Sequence, residues 1–184
     1  KEKEREFFFK SLDFASPQQL FYIADDKNYY AYWPKSYNGE KYTLQSRNSL
    51  IGRYTNKFVK DVFTSIAQYF GGYAIEEVIC EEIGLSKKSP ADVALCKKNS
   101  REQNAEDILL IIEVKMSVVW NWKYTKHEHG RIDIDCIGDC NTHKGNPSLL
   151  RSDSMLKAIG KSANIRASGY ASSHIPILII GNTP

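Results

Sequence analysis

Five consecutive aliphatic residues, Ile108-Leu109-Leu110-Ile111-Ile112, run directly into Glu113-Val114-Lys115. A run this apolar and this short, bounded by polar segments, is strand-sized and belongs in a sheet interior. Strand side chains alternate between faces. Ile112, Val114 and Met116 therefore share one face, with Val118 beyond them, and Ile111, Glu113, Lys115 and Ser117 share the other. A carboxylate and an ammonium then project together from an element that is otherwise core. The preceding run, Asp92-Val93-Ala94-Leu95-Cys96-Lys97, opens with a second carboxylate. The polar KNSREQNAE between the two runs reads as a hairpin loop. Antiparallel pairing through that loop has a register that sets Asp92 beside Glu113 and brings the apolar sets of both strands to one face.

Two carboxylates held side by side repel, and a divalent cation removes the penalty. Oxygen donors in a sparse set suit Mg2+, which takes one or two carboxylates and completes its shell with water and phosphate oxygens. Lys115, on the same face, is placed to orient or deprotonate an attacking water. These parts suit hydrolysis of a phosphodiester. The structural alternative is a Glu-x-Lys at the solvated end of a strand. Against it stand Asp92 at the start of the neighbouring run, Pro90 two residues earlier, and five apolar residues immediately before Glu113.

Pro90-Ala91-Asp92 with Glu113-Val114-Lys115 resembles the two motifs of the PD-(D/E)xK nuclease superfamily, and the 20 intervening residues suit that family's hairpin. Pro90-Ala91-Asp92 takes the looser P-x-D form of the first motif. The resemblance covers about residues 56–180. It implies an α/β fold with a mixed central sheet flanked by helices, the restriction-endonuclease-like αβββαβ core. It further implies that Asp92 and Glu113 bind Mg2+, that Lys115 serves the nucleophilic water, and that the products carry 5′-phosphate and 3′-hydroxyl ends. Many members add a glutamate from the first core helix; Glu77 and Glu81 are both candidates and the sequence does not choose. Among the family's roles, a type II restriction endonuclease cutting double-stranded DNA as a homodimer is the first expectation. The alternatives are a repair or recombination nuclease and a non-catalytic nucleic-acid-binding domain, in which 92, 113 and 115 form a structural ion pair.

Elsewhere the pattern predicts a helix over 56–70, with Asn56 as N-cap, and a second over 74–84 stopped by Gly84. A helix is expected over 153–166 with Met155, Ile159 and Ala163 on its apolar face, and a strand over 175–180. Residues 1–50, rich in Tyr, Phe and turn formers, read as an N-terminal extension or small subdomain, and 51–184 as the nuclease core. The missing initiator Met and the stop at GNTP suggest a piece of a longer chain. Arg151, Lys157 and Lys161 on or beside the helix are compatible with tracking a phosphate backbone, and equally with an ordinary solvated face. Trp120-Asn121-Trp122 fits the closing of a core end better than base stacking. His127, His129, Cys136, Cys140 and His143 fall within 17 residues but match no standard zinc-finger spacing, so a polar loop is the simpler reading.

The bulk numbers permit these expectations without selecting them. The chain has 184 residues, 42% hydrophobic, enough for one core with a small appendage. A net charge of +3 allows a nucleic-acid partner but does not argue for one. The longest apolar runs are strand-sized, so no membrane span is expected. The N-terminus lacks the apolar stretch of a signal peptide. Four cysteines are too few for a disulfide scaffold and point to a reducing, intracellular compartment; the resemblance to restriction enzymes implies a prokaryotic cytoplasm. Phosphate loops, dinucleotide fingerprints, GxSxG and HExxH are missing, which leaves the 92/113/115 set without a competitor.

Overall fold

The computed structural model describes residues 1–24 and 27–182. In chain order the elements are α1 (Glu2–Ser11), α2 (Pro17–Leu20), β1 (Tyr22–Ile23), β2 (Tyr29–Tyr30), α3 (Gln45–Tyr69), β3 (Tyr73–Val78), β4 (Ala91–Cys96), β5 (Ile108–Lys115), β6 (Asn121–Lys126), β7 (Ile132–Gly138), α4 (Ser152–Ala167) and β8 (Ile177–Gly181). The chain is mixed α/β, with two four-stranded sheets among the described residues. None of the described helices is long and apolar enough to cross a membrane.

The chain divides into two units. One comprises Arg53–Met116 with Arg151–Gly181, the other Lys1–Gly52 with Ser117–Leu150 and Asn182. The sequence-drawn boundary at 50/51 lies next to the first crossing. Residues 117–150, expected inside the core, instead join the N-terminal residues as a long insertion between β5 and α4.

In the Arg53–Gly181 unit the sheet order is β3-β4-β5-β8. The hairpin expected from the two apolar runs is present: Val93 pairs with Ile112 and Leu95 with Leu110, antiparallel. β8 lies parallel to β5, with Glu113 opposite Ile179 and Lys115 opposite Gly181. A parallel neighbour requires a crossover, and the 117–150 insertion and α4 occupy that connection. Both faces of the sheet are covered. Val93, Leu95, Ile112 and Val114 pack with Val59 and Ala67 of α3. Ala94, Cys96 and Ile111 pack on the other side with Ile83, Leu85, Ile175 and Ile165 of α4. The expectation of one core face was therefore too narrow: Glu113 leaves a surface that is itself buried.

Three expectations are corrected here. The segment 74–84 is not a helix. Tyr73–Val78 pairs antiparallel with β4, Ile75 against Ala94 and Glu76 against Val93. Ala-Ile-Glu-Glu-Val suits either period, and the ladder offered by β4 outweighs the weak helical propensity. The stop at Gly84 stands, but it closes a short 3-10 turn (Glu81–Ile83) with φ 75°, and a Cβ there would meet Ser168 Oγ at 2.6 Å. The helix predicted from Asn56 begins eleven residues earlier at Gln45. Gly52 in its interior costs only about 1 kcal/mol relative to alanine, too little to interrupt so long a helix. Finally, α4 turns a different face inward. Ala158 and Ile165 are buried, whereas Met155, Ile159 and Ala163 are exposed. Ile165 packs in the cluster that includes Ala91, Ala94 and Ile111, and the face that buries Ala158 and Ile165 carries Lys161 with it.

In the other unit the sheet order is β1-β2-β6-β7. The segment that carries the His/Cys residues, for which a polar loop is the simpler reading from sequence, supplies instead the hairpin of β6 and β7, with Trp122 against Cys136 and Tyr124 against Ile134. Aromatic packing holds α1 to this sheet: Phe8 stacks on Phe21 at 4.6 Å and lies 6.4 Å from Trp122. Glu4 accepts hydrogen bonds from Val119 N (2.8 Å), Trp120 N (3.1 Å) and Trp122 Nε1 (2.9 Å). Burial nevertheless pushes its carboxyl above the usual range. Arg47 is buried under the rings of Tyr22 and Tyr32, donates to Ala31 O, and has its pKa lowered by burial. Ser117, Ser148 and Asn182 form a closed node: Ser117 N donates to Asn182 Oδ1, Asn182 Nδ2 to Ser117 O, Asn182 N to Ser148 Oγ, and Ser148 N to Ser117 Oγ. Three separate crossings of the chain are thereby tied within this unit.

Candidate active site

β4 and β5 place Asp92 and Glu113 on one face because the register adjoining Val93–Ile112 brings them level. Asp92 Oδ2 accepts a hydrogen bond from Val114 N at 2.8 Å, which fixes its carboxylate against the start of the Glu-x-Lys segment. Lys115, two residues beyond Glu113, folds back to the same point. Its Nζ contacts Glu113 Oε1, lies 3.5 Å from Asp92 Oδ2, and also donates to Val114 O at 3.3 Å. The structure thus brings Asp92, Glu113 and Lys115 together.

A fourth charge completes the group. Lys161 of α4 reaches Glu113 Oε2 at 2.7 Å and Asp92 Oδ1 at 3.6 Å. The two carboxylates and two ammoniums form a neutral ring in which every carboxylate oxygen faces a cation. Glu113 is the buried member, its side chain 5% exposed, while Asp92 is 22% and each lysine 20% exposed. Glu113 Oε2 makes no directed hydrogen bond despite its short ionic contact. Sequence reasoning had grouped Lys161 with Arg151 and Lys157 as a phosphate-tracking residue on a solvated face. Its spacing was the overlooked signal: 158, 161 and 165 share a helical face, and two of the three are apolar. Lys157 is exposed, and Arg151 is paired with Asp153 through Nη2–Oδ2 at 2.9 Å.

Neither candidate for a third carboxylate joins this group. The helix expected to carry them is β3 and a 3-10 turn. Glu77 instead pairs with Arg101 at 2.7 Å, and Glu81 lies exposed in the turn. Glu77 has φ 53° between the pairs Glu76–Val93 and Val78–Ala91. A left-handed non-glycine residue costs about 1–3 kcal/mol, so the strand is strained beside Asp92.

Among the described residues no group of three or more His, Cys, Asp or Glu side chains converges on a metal position. The 92/113 pair offers two carboxylates. With water and phosphate oxygens, that is the sparse, hard-oxygen set Mg2+ tolerates. Glu113 Oε2 is a buried, hard oxygen that already faces a positive charge, Lys161 Nζ at 2.7 Å. In those respects the residues fit the ion.

In the other unit His127, Cys136 and His143 have separate engagements. His127 pairs with Asp133 at 2.7 Å. His143 is buried, stacks on Tyr32 at 3.9 Å, donates Nε2–H to Val119 O at 3.1 Å and accepts Gly145 N at Nδ1. Its pKa is lowered, chiefly by burial. Cys136 Sγ contacts Gly138 O at 3.7 Å. Trp122 is buried, Asn121 Oδ1 accepts Tyr32 N, and the Lys1 ammonium lies 4.1 Å over the Trp120 ring.

No protein-family model, curated protein or solved structure matches this chain.

Proposed function

We propose that this chain is a metal-dependent endodeoxyribonuclease of the PD-(D/E)xK type, with Asp92, Glu113 and Lys115 as its catalytic set. The observation that carries the proposal is the meeting of these three side chains on adjacent strands, although 20 residues separate the two carboxylates. The order α3, β3, β4, β5, α4, β8 supports it, since it is the αβββαβ succession of a restriction-endonuclease-like core.

Mg2+ held by Asp92 and Glu113 would supply charge neutralisation at the scissile phosphate. Asp92 is pinned by Val114 N–H, so its other oxygen keeps a fixed direction. Glu113 projects from the most buried position and holds the pair of charges away from bulk water. Lys115 Nζ, within reach of both carboxylates, is the group that orients the attacking water. Lys157, with Arg151 at the start of α4, is assigned to phosphates flanking the scissile bond, where contacts set orientation rather than sequence. Two copies about a two-fold axis would cut both strands of duplex DNA, as a type II restriction enzyme does. The site sits in a prokaryotic cytoplasmic enzyme under this proposal.

The neutrality of the four-charge ring favours a second reading, a structural ion network in a nucleic-acid-binding domain. Plasmid DNA incubated with and without Mg2+ separates the possibilities. Discrete fragments that require Mg2+ and disappear in Asp92→Ala support a restriction enzyme, and smearing or branched-substrate cutting supports a repair nuclease. DNA retention without Mg2+-dependent scission supports the binding domain.

A further inference from the structure

Lys161 has no place in the catalytic set just proposed, yet it makes two ionic contacts with that set's carboxylates. Its polar partners are Glu113 Oε2 at 2.7 Å and Asp92 Oδ1 at 3.6 Å. Lys115 occupies the opposite edge, against Glu113 Oε1 and Asp92 Oδ2, and is further tied to Val114 O. The two edges are not equivalent for an incoming cation. Asp92 Oδ2 is already committed to the Val114 N–H at 2.8 Å. Among the described residues, the ionic contacts of Asp92 Oδ1 and Glu113 Oε2 are with Lys161. An ion bridging both carboxylates therefore meets the least resistance where the Lys161 ammonium stands.

We infer that Lys161 is an internal counter-ion: it fills the divalent cation's place between Asp92 Oδ1 and Glu113 Oε2 and yields it when the cation binds. This inference rests on the proposed nuclease reading. Lys161 keeps two converging carboxylates compensated without an ion, at the cost of competing with one. Its long, flexible stem lets the ammonium swing out without moving α4. Exchange of one charge for two also means that apparent affinity for the cation is set in part by a residue that is not a ligand.

The direct test is calorimetric titration of the full chain with Mn2+, in the absence of DNA. Lys161→Met removes the competitor and should bind Mn2+ roughly tenfold to a hundredfold more tightly than wild type, the scale expected for deleting one charge at such distances. Lys57→Met, on an exposed position of α3, changes net charge equally and should change affinity less than about twofold, because exposed charges are screened. A second measurement needs no variant. Acylation of Lys161 by an amine-reactive ester, read by peptide mass spectrometry, should rise several-fold on saturation with Mn2+. Asp92-dependent Mn2+ binding with unchanged or weaker affinity in Lys161→Met overturns the counter-ion alone. So does Lys161 acylation that stays level or falls. Absence of Mn2+ binding, or binding that Asp92→Asn leaves intact, overturns the nuclease reading and the counter-ion together.

Discussion

Replacing Glu113 with glutamine removes one negative charge while preserving shape, and the four-charge ring allows the consequence to be worked out. Each Glu113 oxygen faces a different ammonium, and the side chain is nearly sealed from water. At an effective dielectric of about 20, the 2.7 Å contact with Lys161 corresponds to roughly 6 kcal/mol of gross attraction. Most of this is offset by the desolvation of the charges. Removing one partner is different, since the remaining charges lose compensation without regaining water; for fully buried pairs the loss is about 3–5 kcal/mol. Lys115 and Lys161 are each one-fifth exposed and can turn partly outward, so about 2–3 kcal/mol is expected for Glu113→Gln. Asp92→Asn should cost less, about 1 kcal/mol. Its ionic contacts are 3.5 and 3.6 Å, and the amide carbonyl still accepts the Val114 N–H. Glu113→Gln with Lys161→Met restores neutrality, so the double variant should lose at least about 1 kcal/mol less than the sum of the singles. Equilibrium urea denaturation followed by circular dichroism reads wild type, the three single variants and the double variant. An Asp92→Asn loss equal to or larger than that of Glu113→Gln, or strict additivity in the double variant, would refute this electrostatic reasoning.

Three further outcomes follow from the other buried groups. Burial holds the His143 imidazole below the usual histidine pKa of about 6.5. Its contribution is therefore fully present above about 6.5 and lost as pH falls toward the folded value, at no more than about 1.4 kcal/mol per pH unit. Asp139 opposes this shift while Lys35 and Arg47 add to it, and the raised Glu4 pKa works in the opposite direction on acidification. The difference between wild type and His143→Gln in urea midpoints across that range isolates the histidine; parallel pH profiles would exclude the assignment. Burial pushes the Cys96 thiol up to about 12 and raises that of Cys80, so native protein should expose only Cys136 and Cys140 to an aromatic disulfide reagent, and reaction of a third thiol before unfolding would contradict the packing. Glu4→Gln turns into a donor one of the two oxygens that between them accept three N–H groups and should cost about 1–3 kcal/mol, with a shift in Trp fluorescence from the loosened Trp122; an unchanged midpoint would show that Glu4 is dispensable.

The parts of the fold that could be read from sequence are those fixed by local pattern. Ile108–Ile112 is too apolar to lie anywhere but inside a sheet, and a hairpin from it to Asp92–Cys96 permits few registers. Strand alternation then forces Glu113 and Lys115 to one side. The parts that could not be read depend on partners distant in the chain. Ala74–Val78 carries a pattern compatible with both periods, and only the free edge of β4 selects the strand. Met155 and Ile159 look like the inner face of α4, but Ala158 and Ile165 are the residues buried instead, and the two carboxylates receive Lys161. Residues 117–150 carry the strand pattern of IDIDCIG, yet nothing local indicates that their sheet is completed by Tyr29–Tyr30 or that their core includes Phe8 and Phe21. The lysine thought to face solvent is consequently the site residue that sequence alone missed.

Single-turnover cleavage of a DNA duplex at saturating Mg2+, comparing wild type with folded Lys115→Ala, bears most directly on whether the 92/113/115 group hydrolyses phosphodiesters. A lysine that positions the attacking water predicts Mg2+-dependent cutting by wild type and a rate lower by about a hundredfold or more in the variant. Cutting at an equal rate by both proteins, or none by wild type, would contradict the assignment.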